Sequence, residues 1–132
     1  MPDILEGTQL FMAAAGQNTD GGDFTDDDTR FLRYQLLEEE YIETVHADDD
    51  DDLVEYVDGN LDLIVVAWGN LLAAIGKDAA VECAAEVTRS NLAKAPGGVV
   101  TRNGLGKILK PADWTPPDIA GVLAKHGYEV NA

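Results

Sequence analysis

Two long stretches of helical periodicity, residues 29–47 and 53–75, are separated by a run of five aspartates, Asp48–Asp52. In the first stretch Leu32, Leu36 and Ala47 fall on one stripe. In the second, Leu61, Val65, Gly69 and Leu72 do the same. Asp26–Asp28 and Thr29 supply cap and first-turn acids for the first stretch, and Gly76 is a natural C′ stop for the second. A shorter apolar run, 3–15, ends at Gly16, and the turn formers of 17–29 follow as a loop. Beyond Gly76, Asp78 caps a third helical stretch that Pro96 and Gly97-Gly98 close. Asn103-Gly104 then sits between β-favouring residues, which signals a hairpin. In "DWTPPDIAGVLAKHG", Thr115 is the expected cap of a last short helix, with Pro116 at its first position and Gly127 as its stop.

The predicted fold is all-α: an antiparallel helix bundle in one domain, 1–132. Its core helices occupy about 29–94, with the third packed on the first two, and the tail 97–132 holds a small hairpin and a short helix. The apolar face left by two long helices asks for a second subunit.

Composition narrows the function classes. Apolar residues make up 45% of the 132, enough for a core and too many for a disordered chain. The first residues carry acids where a signal peptide carries bases, and the apolar runs fall short of the roughly 20 residues of a membrane span. A cytoplasmic protein without a membrane partner is expected. The single cysteine, Cys83, permits no internal disulfide and reads as a packing thiol. The net charge of −16 excludes electrostatic attraction to nucleic acid or anionic membranes. It leaves cations, a basic partner or DNA mimicry, and any phosphate substrate must bring metal ions to supply positive charge. The aspartate run is not an EF-hand. Counted from Asp48, position 6 is Leu53 rather than Gly and position 12 is Gly59 rather than Glu.

The acids that carry chemistry lie in "LLEEEYIETV" and the stretch after it. At 100° per residue Glu39, Glu40 and Glu43 share a face with Leu32, Leu36 and Ala47, whereas Glu38 points away. Asp58 and Asp62 fall inside the apolar stripe of the next helix. Unpaired buried carboxylates cost several kcal/mol or take up protons. No Lys or Arg shares these stripes except Arg33. A divalent cation, Mg²⁺ or Mn²⁺ on hard oxygen ligands, is one answer; solvated helix faces are the other. A Glu-x-x-His di-iron pattern is incomplete, because Glu43 and His46 have no counterpart and His126 lies far into the tail.

"LLEEEYIETVHA" followed by "YVDGNLDLIVVAWG" resembles the MazG-like all-α nucleoside triphosphate pyrophosphohydrolases. Their pattern is E-E-x-x-E on one helix and E-x-x-D on the next. Glu39, Glu40 and Glu43 match the first motif and Asp62 the end of the second. Gly59 stands where the family has Glu, and Asp58 is the expected substitute. "FMAAAGQ", "EVTRSNLAK" and "GKILKPADWTPPDI", in this order, resemble the phosphoribosyl-ATP pyrophosphohydrolase-like branch of phages and bacteria. The similarity spans roughly 9–123.

The resemblance implies Mg²⁺-dependent cleavage of a nucleotide between its α and β phosphates, giving a monophosphate and pyrophosphate. It implies a four-helix core completed by a homo-oligomer partner, in a dimer or tetramer. The location is the cytoplasm, that of the host if the chain is phage-encoded. It places metals on Glu39, Glu40, Glu43 and Asp62 with Asp58 as stand-in; Glu39 and Glu40 are the expected catalytic carboxylates, and a carboxylate not saturated by metal, Glu39, is the one expected to orient or deprotonate the water. Asn91 and Lys94 would contact sugar or phosphate, Lys107 and Lys110 phosphate oxygens, and Gln17 the base. Two alternatives remain: a non-catalytic acidic module that mimics DNA or binds a basic partner, and a degenerate member that binds nucleotide without turnover. Lys94 also suits a helix C-terminus, Lys107 and Lys110 a protected hairpin edge, and Trp68 and Trp114 packing.

Overall fold

The computed structural model describes residues 1–130. The helices are α1 (Ile4–Ala14), α2 (Asp27–Asp49), α3 (Leu53–Leu92) and α4 (Ile119–Lys125), and the strands are β1 (Thr101–Arg102) and β2 (Ile108–Leu109). Single 3-10 turns occupy Asp23–Thr25 and Pro96–Gly98. The chain divides into two compact units, Met1–Lys77 and Asp78–Ala132. The long helix α3 is broken at Gly76 (φ 77°, ψ 168°), the stop expected from the sequence.

The first unit is built from α1, α2 and α3 up to the break. Asp3 caps α1 by accepting from the Glu6 N–H, and Asp26 caps α2 by accepting from those of Asp28 and Thr29. The aspartate run is spent on turn chemistry. Asp48 and Asp49 end α2, Asp51 takes a left-handed φ of 53°, and the Asp52 carboxylate accepts from the Glu55 N–H to start α3. The two helices approach antiparallel through small residues. Gly59 lies against Thr44, and Gly69 against Met12 and Arg33. Gly76 lies against the Asp20 carbonyl, and the Gly22 N–H donates to the Ala74 carbonyl at 3.0 Å, so the loop after α1 is fastened to α3.

The core of this unit is small: Met12, Ala47, Trp68, Leu72 and Ala73 are buried. The expected apolar stripe is not covered within one chain. Leu32 is 52% exposed and Leu61 45%. The close glycine contacts pull the backbones together, and the larger apolar side chains splay outward. Against the expectation from the apolar runs, α3 is long and apolar enough to cross a membrane by length and composition alone.

The second unit comprises the rest of α3, the hairpin and α4. Ser90 ties α3 to the tail: its hydroxyl donates to the Thr115 carbonyl at 3.0 Å, and its carbonyl accepts from the Trp114 indole at 2.7 Å. Glu86 receives Arg89 at 2.8 Å and the Asp118 N–H at 3.3 Å, and Glu82 receives Lys125 at 2.9 Å. The hairpin pairs Thr101 with Leu109 and Arg102 with Ile108. The Asn103 side chain closes its loop by accepting from the N–H groups of Leu105 and Lys107. The cap of α4 is Asp118 rather than Thr115. Each proline keeps the residue before it out of the helical region, so "TPP" stays extended and the helix begins later. Cys83 is buried, and burial raises its thiol pKa, as a packing thiol requires.

The charge is divided as sharply as the fold. Nineteen of the 25 acids but only three of the nine bases lie in 1–77. That unit carries the whole −16, and 78–132 is neutral.

Candidate functional site

Glu40 and Asp62 face each other across the α2–α3 contact, both partly buried. Glu40 is held there by its place two turns along the stripe from Arg33 and one turn before Thr44, whose hydroxyl donates back to the Glu40 carbonyl at 2.7 Å. Oε2 of Glu40 is buried and has no hydrogen-bond donor among the described residues. Desolvation first, then the charges of Asp62, Glu43 and Glu39 and a proton shared with Asp62, push the Glu40 carboxyl up to about 7. No salt bridge reaches any of these acids among the described residues. Arg33, the one cation on the stripe, turns instead to Asn70 (2.8 Å) and the Val66 carbonyl (3.2 Å).

The five expected ligands are therefore not equivalent. Glu40 and Asp62 form the centre, and Glu39 and Glu43 are exposed but near enough for their charge to act on it. Asp58 is exposed rather than set in a buried stripe, and it is not among the charges that raise the Glu40 carboxyl. Among the described residues no three acid, histidine or cysteine side chains draw together around one point. Bare carboxylates repel one another, and a cation is what would gather them. The donor set, hard oxygens with an orphaned buried acceptor and no counter-charge, fits Mg²⁺ or Mn²⁺.

Gly59 has a packing reason. A Cβ there would meet the Thr44 Oγ1 and Cβ, at 3.1 Å for the latter. The position faces the neighbouring helix, so a glutamate cannot occupy it in this packing. Glu38 is exposed and accepts from the Tyr34 hydroxyl at 2.7 Å, the surface role expected of it, and His46 is exposed.

The basic candidates lie in the second unit. Lys94 donates to the Asn91 carboxamide at 3.0 Å. The ammonium groups of Lys110 and Lys94 stand 4.2 and 5.6 Å from the Trp114 ring. Asn91, Lys94 and Lys110 are thus brought together on Trp114, which serves as a cation platform as well as a packing residue. Lys107 is exposed on the hairpin, away from that cluster's contacts. Gln17 is exposed, and its backbone N–H closes α1 on the Met12 carbonyl at 2.9 Å.

A scan against protein-family models finds no match to this chain, and no curated protein matches it. Periodicity alone does not reveal the clamp of Arg33 on Asn70 or the role of Gly69 in admitting it. The available signal is an arginine seven residues before Glu40 on an otherwise acid stripe.

Proposed function

We propose that the chain is a Mg²⁺-dependent nucleotide pyrophosphohydrolase, with Mn²⁺ as an alternative ion, cleaving between the α and β phosphates. The observation that carries this reading is the buried Oε2 of Glu40, without donor or cation, beside Asp62. Two carboxyl groups held together there cost several kcal/mol or take up a proton, and a divalent cation would relieve that cost. Glu40, Asp62, Glu39 and Glu43 would hold the metal, which when bound lowers the pKa of a water and neutralises phosphate oxygens. Asp58 would reach the same ion only by turning inward from its exposed position. Glu39, exposed and not committed to another group, takes the proton of the attacking water. That oxygen bonds to the α phosphorus, the α–β anhydride bond breaks, and pyrophosphate leaves. Asn91, Lys94, Lys107, Lys110 and Gln17 are the residues that the resemblance assigns to the substrate, and of these Asn91, Lys94 and Lys110 gather on Trp114 within the second unit.

The exposed apolar side chains Phe31, Tyr41 and Ile42 of α2 and Leu53, Val54 and Val57 of α3 favour a homo-oligomer whose second copy completes a four-helix core. A pyrophosphate-release screen over the common NTPs and dNTPs tests the reaction. Turnover with Mg²⁺ is expected for at least one of them, with a loss of about 100-fold or more in Glu40→Gln. Equal activity in the variant would remove the site assignment.

The concentration of all the net charge in the first unit favours the second reading, an acidic module for a basic partner. That module would give no release with any nucleotide.

A further inference from the structure

A cavity of about 320 Å³ lies in the first unit where α2, α3 and the Asp23–Thr25 turn meet. Its walls include Phe24, Arg30, Arg33, Tyr34, Asn70 and Leu71. On an ideal helix Arg30, Tyr34 and Leu37 lie about 60–120° to one side of Glu40, whereas Glu39 and Glu43 lie about 60–100° to the other. The cavity and the carboxylates therefore occupy opposite flanks of the helix pair.

Both arginines of the first unit line this cavity, against one carboxylate, Asp23. In a unit of net charge −16 it is the single place where positive groups gather. Arg33 is partly buried and held in one orientation. Nε donates to the Asn70 carboxamide oxygen at 2.8 Å and one terminal nitrogen to the Val66 carbonyl at 3.2 Å. Gly69 makes room, since a Cβ there would overlap that terminal nitrogen. Two of the five guanidinium N–H groups are thereby used and three remain. No carboxylate forms a salt bridge with Arg33 among the described residues. A guanidinium taken from water and left without a counter-ion is destabilising unless an anion completes it. The rest of the wall asks for something else. Phe24, on which Arg30 stacks at 4.2 Å, Tyr34 and Leu71 offer rings and apolar surface to a flat body. The volume is at the lower end of small-molecule sites, room for one ring system with its anionic group.

We propose that this cavity binds a planar ring carrying a single phosphate or carboxylate group, with Arg33 on the anion and Phe24 and Tyr34 against the ring. A nucleoside monophosphate has that chemistry, and it is what the proposed reaction releases. On that reading, and only on it, the cavity senses product on the flank opposite the metal centre.

The test uses the intact chain in EDTA, so that no metal-bridged phosphate binding contributes. Calorimetric titrations compare nucleoside monophosphates, the corresponding nucleosides and an aromatic carboxylate. Saturable binding of a monophosphate is expected, at least about tenfold tighter than its nucleoside. Arg33→Met should remove that tenfold difference. Asn70→Asp, which supplies the missing counter-ion from the protein itself, should remove it while keeping the fold. Binding of the carboxylate but of no monophosphate would keep the anion site and overturn product sensing. No binding of either class, or a monophosphate affinity unchanged in folded Arg33→Met and Asn70→Asp, would overturn the site. Pyrophosphate release plays no part in these titrations, so a chain without turnover can still pass them.

Discussion

Replacing Glu40 with glutamine is expected to stabilise the metal-free protein at pH 8 by about 2–3 kcal/mol, while abolishing its response to Mg²⁺. The sign follows from the raised pKa. The folded state holds the Glu40 carboxyl at about 7, above its ordinary 4.5, so between these values the folded chain binds more protons than the unfolded one. Stability from this group is intact below pH 4.5, falls as pH rises, and is fully lost above about 7. A tenfold change in proton affinity corresponds to about 1.4 kcal/mol, and the partial exposure of the carboxyl trims the total. Glutamine keeps the shape without the charge. Urea unfolding in EDTA at pH 5 and pH 8 reads the effect: the variant and the parent should differ little at pH 5 and widely at pH 8. Millimolar Mg²⁺ should then restore the parent at pH 8 by mass action and leave the variant unmoved. A variant less stable than the parent at pH 8 in EDTA would mean that Glu40 makes a favourable contact as a carboxylate.

Gly59→Ala is expected to lower stability by about 2 kcal/mol, roughly 5–10 °C in Tm. Helix propensity alone argues the opposite, a gain of about 1 kcal/mol for removing a glycine from a helix interior. Packing decides, because the new Cβ would overlap the buried Thr44 side chain, which is fixed by its 2.7 Å bond to the Glu40 carbonyl. Thr44→Ala in the same chain should recover most of the loss. A raised Tm in Gly59→Ala would show that α2 and α3 are not in close contact at this level. Gly59→Glu, which would set a glutamate three residues before Asp62, should separate the helices and weaken the Mg²⁺ response rather than add a ligand.

These two positions also mark what is legible in the sequence. Caps and stops are: Asp26, Gly16, Gly76 and Gly127 all act where turn chemistry places them. The hairpin at Asn103 is legible because its side chain is what closes the loop. Periodicity also sets Glu39, Glu40 and Glu43 on one stripe and Asp62 on the other, without singling out the Glu40–Asp62 pair. It places Asp58 on the stripe of Asp62 too, and in the structure Asp58 is exposed. An angle about one helix axis does not say how far the neighbouring helix extends, and the close approach at Gly59 and Gly69 narrows the covered strip. The same contact makes a small residue at position 59 a packing requirement. The clamp of Arg33 depends on Asn70, 37 residues away, and on the absent side chain of Gly69, a relation no single-helix pattern contains. The α4 cap lies at Asp118, three residues beyond Thr115, because Pro117 directly follows Pro116 and denies it a helix-initiating role.

A titration of Mn²⁺ into the metal-free protein at pH 7.5, followed by the loss of the free-ion electron paramagnetic resonance signal, tests the carboxylate centre most directly. Saturable binding is expected in the parent, weakened by about tenfold or more in both Glu40→Gln and Asp62→Asn, and little changed in Glu38→Gln. Binding that is equal in all four proteins would place the ion on the exposed aspartates and contradict a metal centre at Glu40 and Asp62.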